Sequence, residues 1–200
     1  MTGVTAVVVN HDGGEQVMRC LRHLQAHRPP LQDFVVIDSG SSDGSPEAIR
    51  RNFAAVRVVE LDGNLGPSVA RNRGLREART SHVLHVHDDV YLAPDVACLV
   101  MARLRAAAAV VAVPRLLLYP ETDLIQLDGG DVYFIGTMMR NGRQRAAATH
   151  AQPRPTGAFS TSCVLADWAA LLDAGGVDET FFIYLEDMEL ALRLRSFGHS

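Results

Sequence analysis

Three clusters of residues in this 200-residue chain have types and spacing that could do chemistry. The first is His85-Val86-His87-Asp88-Asp89, at the end of an apolar run. On an extended segment, His85, His87 and Asp89 share one side while Asp88 faces the other. Adjacent carboxylates leaving an uncharged strand are costly unless a cation or hydrogen-bond donors compensate them. One or two carboxylates plus the oxygens of a diphosphate make a usual setting for Mg2+ or Mn2+. Asp88 and Asp89 are therefore candidates for a cation site, with solvated acids at a loop start as the simpler alternative. His82 and His85 read as polar residues satisfied within the fold.

The second cluster is Asp38 followed by Ser39-Gly40-Ser41-Ser42-Asp43-Gly44-Ser45. An acid at a strand tip before a hydroxyl-rich turn can accept hydrogen bonds from a ribose hydroxyl or a base N–H. Asp43 and Ser45 read better as an Asx turn and a helix cap. The third cluster runs from Phe181-Phe182-Ile183-Tyr184-Leu185 into Glu186-Asp187-Met188-Glu189-Leu190. A helix N-terminus favours an acid. Three acids in four residues against an aromatic wall exceed what a cap requires, and one could serve as a general base.

These clusters need a scaffold, and the hydropathy pattern supplies one. Residues 4–9, 34–37, 56–59, 83–86 and 110–113 are short apolar, β-branched runs, alternating with helical patterns over 17–24, 47–53, 67–75 and 95–105. Strands alternating with helices predict an α/β fold with a mostly parallel sheet flanked by helices. The C-terminal ends of its strands then form one ligand-binding edge, where Asn10 to Asp12, Asp38 to Asp43 and His87 to Asp89 gather. After a soft boundary near residue 115 the pattern loosens. Val132-Tyr133-Phe134-Ile135 and the Asn141-Gly142 turn signal suggest a β-rich excursion. Residues 143–155 read as a mobile basic loop, 157–166 return to strand, and helices are expected over 167–174 and 185–197. The whole chain reads as one domain, with 1–115 a nucleotide-binding half and 116–200 an acceptor and catalytic half.

Composition narrows the classes. A hydrophobic share of 48% with 21% charged residues is ordinary globular composition. A formal charge of −4 gives no reason to expect a nucleic-acid partner. All 19 basic residues are Arg, so a Lys Schiff base or a P-loop Lys is excluded. No GxGxxG follows the first strand. Cys20, Cys98 and Cys163 each lie among apolar residues and read as buried thiols of a reducing compartment. The longest uncharged apolar stretch, 106–113, is too short to cross a bilayer, and the N-terminus lacks the pattern of a signal peptide. A cytoplasmic location is expected, with work at the inner face of a membrane, as a peripherally associated protein, left open along with the oligomeric state.

Five blocks in order resemble family 2 glycosyltransferases: Val-Val-Val-Asn-His (7–11), Val-Ile-Asp-Ser-Gly-Ser-Ser-Asp-Gly-Ser (36–45), Asn-Leu-Gly-Pro-Ser-Val-Ala-Arg-Asn-Arg-Gly (64–74), His-Asp-Asp-Val (87–90) and the block 175–190. The last looks most like the rhamnosyltransferase branch. The resemblance implies a GT-A fold and inverting transfer of a sugar from a nucleoside diphosphate sugar, dTDP- or UDP-linked, to a hydroxyl of a saccharide or lipid-linked acceptor. Such transfers build cell-surface polysaccharides, glycolipids or glycosylated natural products. It also implies that Asp38 contacts the nucleoside and that Asn10 and His11 line the base. Gly66, Arg71 and Asn72 would approach the nucleotide, with Arg71 near the diphosphate. Asp89, beside Asp88, matches the last acid of a DxD-type motif for Mg2+ or Mn2+. Asp187 of the Glu186-Asp187 pair matches the base, and Gly157 would border the acceptor pocket.

Two departures stand out. His87 occupies the place of the first DxD acid, and the chain stops at Ser200, just past the last block. Trp168 reads as a packing residue, and Arg193 and Arg195 as a solvated helix face. Two other readings stay in play. One is a GT-A module that binds nucleotide sugars with weak or no catalysis. The other is a metal-dependent hydrolase, since His85-x-His87-x-Asp89 resembles part of the metallo-β-lactamase HxHxDH pattern, with Val90 where His is needed.

Overall fold

The computed structural model describes residues 3–133, 137–149 and 152–199. Phe134 and Ile135, expected in the β-rich excursion, lie outside the described residues. The elements run β1 (Val4–Asn10), α1 (Gly14–Gln25), β2 (Asp33–Asp38), α2 (Ser45–Asn52), β3 (Val56–Glu60), α3 (Gly66–Glu77), β4 (His82–His87) and α4 (Val96–Ala106). The short strands β5 (Val111–Ala112), β6 (Leu116–Leu117), β7 (Ile125–Leu127), β8 (Gly130–Val132) and β9 (Met138–Arg140) follow. The chain then returns to the main sheet with β10 (Cys163–Asp167) and closes with α5 (Trp168–Asp173) and α6 (Glu186–Ser196).

The main sheet has the order β3-β2-β1-β4-β10-β5. Strands β1 to β4 pair in parallel, while β10 runs antiparallel between β4 and β5. The registers Asn10↔Asp38 and Val9↔His87 bring three candidate tips to one edge. Alternation within each strand builds two cores. Ala6, Val8, Val36 and Leu84 face α1, α2 and α4, whereas Val7, Val35, Ile37 and Val83 face α3, α5 and α6. Burying one Val, Ile or Leu side chain among these contributes about 1.5–3 kcal/mol.

Two details fix one helix on each face of the sheet. A Cβ on Gly74 would fall 2.2 Å from a methyl of Val7, so glycine lets α3 lie directly on β1. Buried His27 accepts a hydrogen bond at Nε2 from the Ala97 amide (2.9 Å) and meets the Pro29 carbonyl at Nδ1 (2.8 Å). That contact satisfies a first-turn N–H of α4, which lacks a side-chain cap of its own.

Some expectations change. Cys98 is exposed, because Ala97, Val100 and Leu104 set the inward phase of α4 and leave 98 outside. The basic segment after Gly142 is tied down at its start, where Gln144 and Arg145 exchange backbone hydrogen bonds with Ile125 and Ala147 bonds to Asp123. Trp168 packs as expected and donates its indole N–H to the Leu75 carbonyl at 2.8 Å.

Candidate active site

The tips of β1 and β2 form a rigid wall. Asn10, fully buried, donates from its amide to Asp38 Oδ1 at 2.6 Å and lies within reach of the Ser41 and Ser45 hydroxyls. Asp38, 1% exposed, also accepts from the Ser41 hydroxyl (2.6 Å) and amide (3.0 Å). Asp12 accepts from the Ser42 amide, and Asp43 from the Gly14 and Ser45 amides. Partial desolvation pushes Asp43 upward, but its hydrogen bonds with Ser45 and Gly14 outweigh this and hold it below the usual carboxylate range. Asp38 and Asn10 thus stand behind the surface as the frame of the wall. His11 is exposed on its rim, with Nε2 3.0 Å from the Asn64 amide of the loop before α3.

The β4 tip presents His87, Asp88 and Asp89. Burial first and the neighbouring Asp89 charge second push Asp88 up to about 6. Its Oδ2 lies 2.7 Å from where a Gly13 Cβ would sit, beside Asn10 Oδ1, a buried acceptor without a hydrogen-bond partner. His87 receives a hydrogen bond at Nε2 from Arg71 Nη2, 2.7 Å away. Burial and the Arg71 charge pull His87 down to about 4. Arg71 Nη1 donates to Glu186 Oε1 at 2.8 Å, and both residues are buried. One guanidinium therefore ties α3 to the tip of β4 and the start of α6.

His85 departs from its expected role. It is 5% exposed, and its buried Nδ1 has no hydrogen-bond partner. Burial pulls it down to about 3, helped by the Arg71 and His87 charges, so the ring stays neutral. His82 does have a partner, the Ser81 hydroxyl at 2.9 Å. The hydrolase pattern is not assembled: His85 is sealed in, His87 Nε2 is taken by Arg71, and among the described residues no three metal-ligating side chains converge.

Asp187 sits half-buried in the first turn of α6. Burial and the adjacent Glu186 charge raise its carboxyl above the usual range. Tyr184 and Leu185, both at φ 70°, lead into this turn. Left-handed backbone at two non-glycine residues costs roughly 1–3 kcal/mol each and persists only where the surroundings impose it. Residue Asn72 supplies part of that restraint. Its amide accepts from Val177 N (2.8 Å) and donates to Val177 O (2.7 Å) and Glu179 (2.8 Å). Arg193 supplies more, pairing with Glu189 and donating to the carbonyls of Ala174 and Gly176. Arg193 is a clamp on the turn before the site, not a solvated side chain. Arg195 stays exposed, and Gly157 lies against Asp131 and Arg195.

Residues 5–163 match the family described as glycosyl transferase family 2. The chain belongs to this family. It is similar to the N-acetylglucosaminyl-diphospho-decaprenol L-rhamnosyltransferase of Mycobacterium tuberculosis (strain ATCC 25618 / H37Rv), at 29% identity over 222 residues covering 99% of this chain and 72% of that protein. Mannosyltransferase PcManGT from Pyrobaculum calidifontis, solved with GDP-Man and Mn2+, superposes with a TM-score of 0.72 at 19% identity, covering 100% of this chain and 54% of that one. The S. aureus TarS 1–349 structure gives 0.67 at 18% identity, covering 97% and 55%. The fold is GT-A. This family 2 chain spans about half the length of those two solved chains.

The structure brings Arg71, Glu186, Asp187, His87 and Asp89 into one electrostatic neighbourhood. It sets Asn72 to work inside the fold, through a fully used amide. Gly66 approaches the acidic segment directly: a Cβ there would fall 2.8 Å from the Phe182 carbonyl oxygen. Sequence reasoning missed Ser41, Asn64 and Arg193 as organisers of the site. The signals were the serine-rich run and the four-residue spacing of Glu189 and Arg193. Among the described residues no helix is long and apolar enough to cross a membrane.

Proposed function

We propose that this glycosyltransferase moves a sugar, with inversion, from a dTDP- or UDP-linked donor to a hydroxyl of a saccharide or lipid-linked acceptor. The observation that carries the reading is the Arg71 tie, which binds Glu186, next to the raised carboxyl of Asp187, and His87, next to Asp88 and Asp89. The nucleoside lies on the rim formed by His11 and Asn64, backed by Asn10 and Asp38, with Gly66 at the α3 end. The similarity to an N-acetylglucosaminyl-diphospho-decaprenol L-rhamnosyltransferase supports a deoxyhexose donor and a lipid-linked acceptor.

The acids present fit a divalent cation. Two adjacent carboxylates, one pushed up to about 6 by burial and by the other's charge, form a hard-oxygen set that a cation would relieve. Two protein carboxylates leave room for diphosphate oxygens, the usual way such ions bind. Asp89 would hold the cation with Asp88, and when bound it neutralises charge developing on the leaving diphosphate.

Asp187 does the proton chemistry. Its carboxylate takes the proton from the acceptor hydroxyl as that oxygen bonds to the anomeric carbon. The bond to the diphosphate oxygen breaks on the opposite face, and its electrons leave with the diphosphate. Thermal denaturation with UDP, GDP and dTDP, each with and without Mn2+, tests the donor site: one nucleotide should raise the midpoint. No shift with any of them would refute the site. NMR of the product's anomeric configuration tests inversion, and retention would refute the mechanism.

A further inference from the structure

We propose that His87 is a hydrogen-bond donor to the diphosphate of the nucleotide sugar, kept out of the cation's ligand set by Arg71. The proposal rests on the reading of the β4 tip as the donor site and assigns His87 a task there. Arginine carries only donors. The 2.7 Å contact from Arg71 Nη2 to His87 Nε2 therefore requires a lone pair on Nε2. A ring that accepts at Nε2 carries its proton on Nδ1.

This tautomer decides what His87 can bind. A histidine ligates a metal through a nitrogen lone pair. The one lone pair in the ring is already engaged, and the other nitrogen bears a proton. Freeing Nε2 would require Arg71 to turn away. Arg71 is 2% exposed, and its departure would strip buried Glu186 of the counter-charge it meets at 2.8 Å. The second oxygen of Glu186, Oε2, is already buried without a partner, so the pair has no slack for such a move.

Nδ1–H is then the working edge of the ring. Among the described residues His87 makes no other side-chain hydrogen bond, and the ring is half-buried beside Asp88 and Asp89. A fixed N–H next to carboxylates that would hold a cation suits an anionic oxygen, which is what a diphosphate offers. The Arg71–His87 pair so carries the influence of a buried cation to the donor through a neutral ring, without adding a third carboxylate there.

The test uses the full chain with isotope-labelled histidine, UDP and dTDP as probes, and Mn2+. Imidazole nitrogen shifts, assigned by difference against His87→Asn, should show Nδ1 protonated and Nε2 unprotonated. A ring with the opposite tautomer would overturn the proposal. By calorimetry, with Mn2+ and in chelator, His87→Ala should weaken nucleoside diphosphate binding about tenfold, the loss expected of one hydrogen bond to a charged group. His87→Asn, whose amide can place a donor near the Nδ1 position, should restore most of it, and His87→Gln should not. Mn2+ affinity, read from the resonance signal of free Mn2+, should be the same in wild type and His87→Ala. Loss of Mn2+ affinity in His87→Ala would make His87 a ligand and overturn the proposal. UDP or dTDP binding indifferent to His87→Ala would overturn it alone, whereas wild type binding neither nucleotide, with Mn2+ or in chelator, would overturn the donor-site reading with it.

Discussion

Arg71 and Glu186, 115 positions apart in the chain, meet at 2.8 Å in an ion pair whose side chains are 3% and 6% exposed. Such a pair contributes little beyond an apolar isostere, but breaking it leaves a buried charge uncompensated. Glu186→Ala and Arg71→Ala should each lower unfolding stability by about 3–5 kcal/mol. The double variant Arg71→Met/Glu186→Met should recover most of that loss in urea denaturation. A double variant no more stable than either single variant would show that the cost arises elsewhere.

Asp187 is the second prediction. A general base must be ionised to work, so activity falls on the acid side of its carboxyl pKa. Burial and the Glu186 charge raise that pKa, which places the acid limb of the pH–rate profile above the usual carboxylate range. Glu186→Gln removes a charge that raises it and leaves Arg71, which lowers it, so the limb should move to lower pH. Asp187→Asn should cut kcat by about 10²–10⁴-fold while nucleotide binding persists. An Asp187→Asn enzyme with the parent's kcat would remove Asp187 from the chemistry.

His85 offers a test of stability against pH. Its folded pKa near 3 lies below the ordinary 6.5, so the unfolded chain takes up a proton that the fold refuses. The stability contributed by the neutral buried ring is present above about 6.5 and drains as pH falls toward 3. His85→Leu keeps apolar bulk and removes both the titration and the partnerless Nδ1. It should raise stability at neutral pH by about 1–3 kcal/mol, the cost of an unsatisfied buried polar group. It should also flatten the loss between pH 6.5 and 3. An unchanged acid slope would show that other groups set it.

The placement of several candidate residues at one sheet edge was legible in the sequence, for a definite reason. The strand tips follow from period-two alternation, and a parallel sheet puts Asn10, Asp38 and His87 at one edge whatever the details. Asp187 stood out as a candidate because its cluster held more acids than a helix cap needs. What stayed hidden were the partners chosen in three dimensions. Nothing near Arg71 in the chain shows that it will bridge His87 and Glu186, and nothing near Asn72 shows that it will hold Val177. Cys98 misled because apolar neighbours in sequence are not neighbours in helical phase. His85 was expected to find a partner, and packing between β4, β10 and α3 left it none at Nδ1.

Gly66 gives the last prediction, a comparison of two glycines. Gly66 and Gly198 both have φ +83°, so alanine at either carries a similar backbone cost of roughly 1–3 kcal/mol. Around Gly198 nothing lies within 4 Å of a Cβ, whereas at Gly66 a Cβ would meet the Phe182 carbonyl at 2.8 Å and its ring at 2.9 Å. Backbone cannot yield as a flexible side-chain tip does, so Gly66→Ala should add about 1–3 kcal/mol of overpacking. The push falls on the segment that sets Tyr184, Leu185 and then Asp187. Gly66→Ala should therefore lose kcat as well as thermal stability, while Gly198→Ala should lose stability alone. Equal kcat in the two variants would show that the Gly66–Phe182 contact does not position the base.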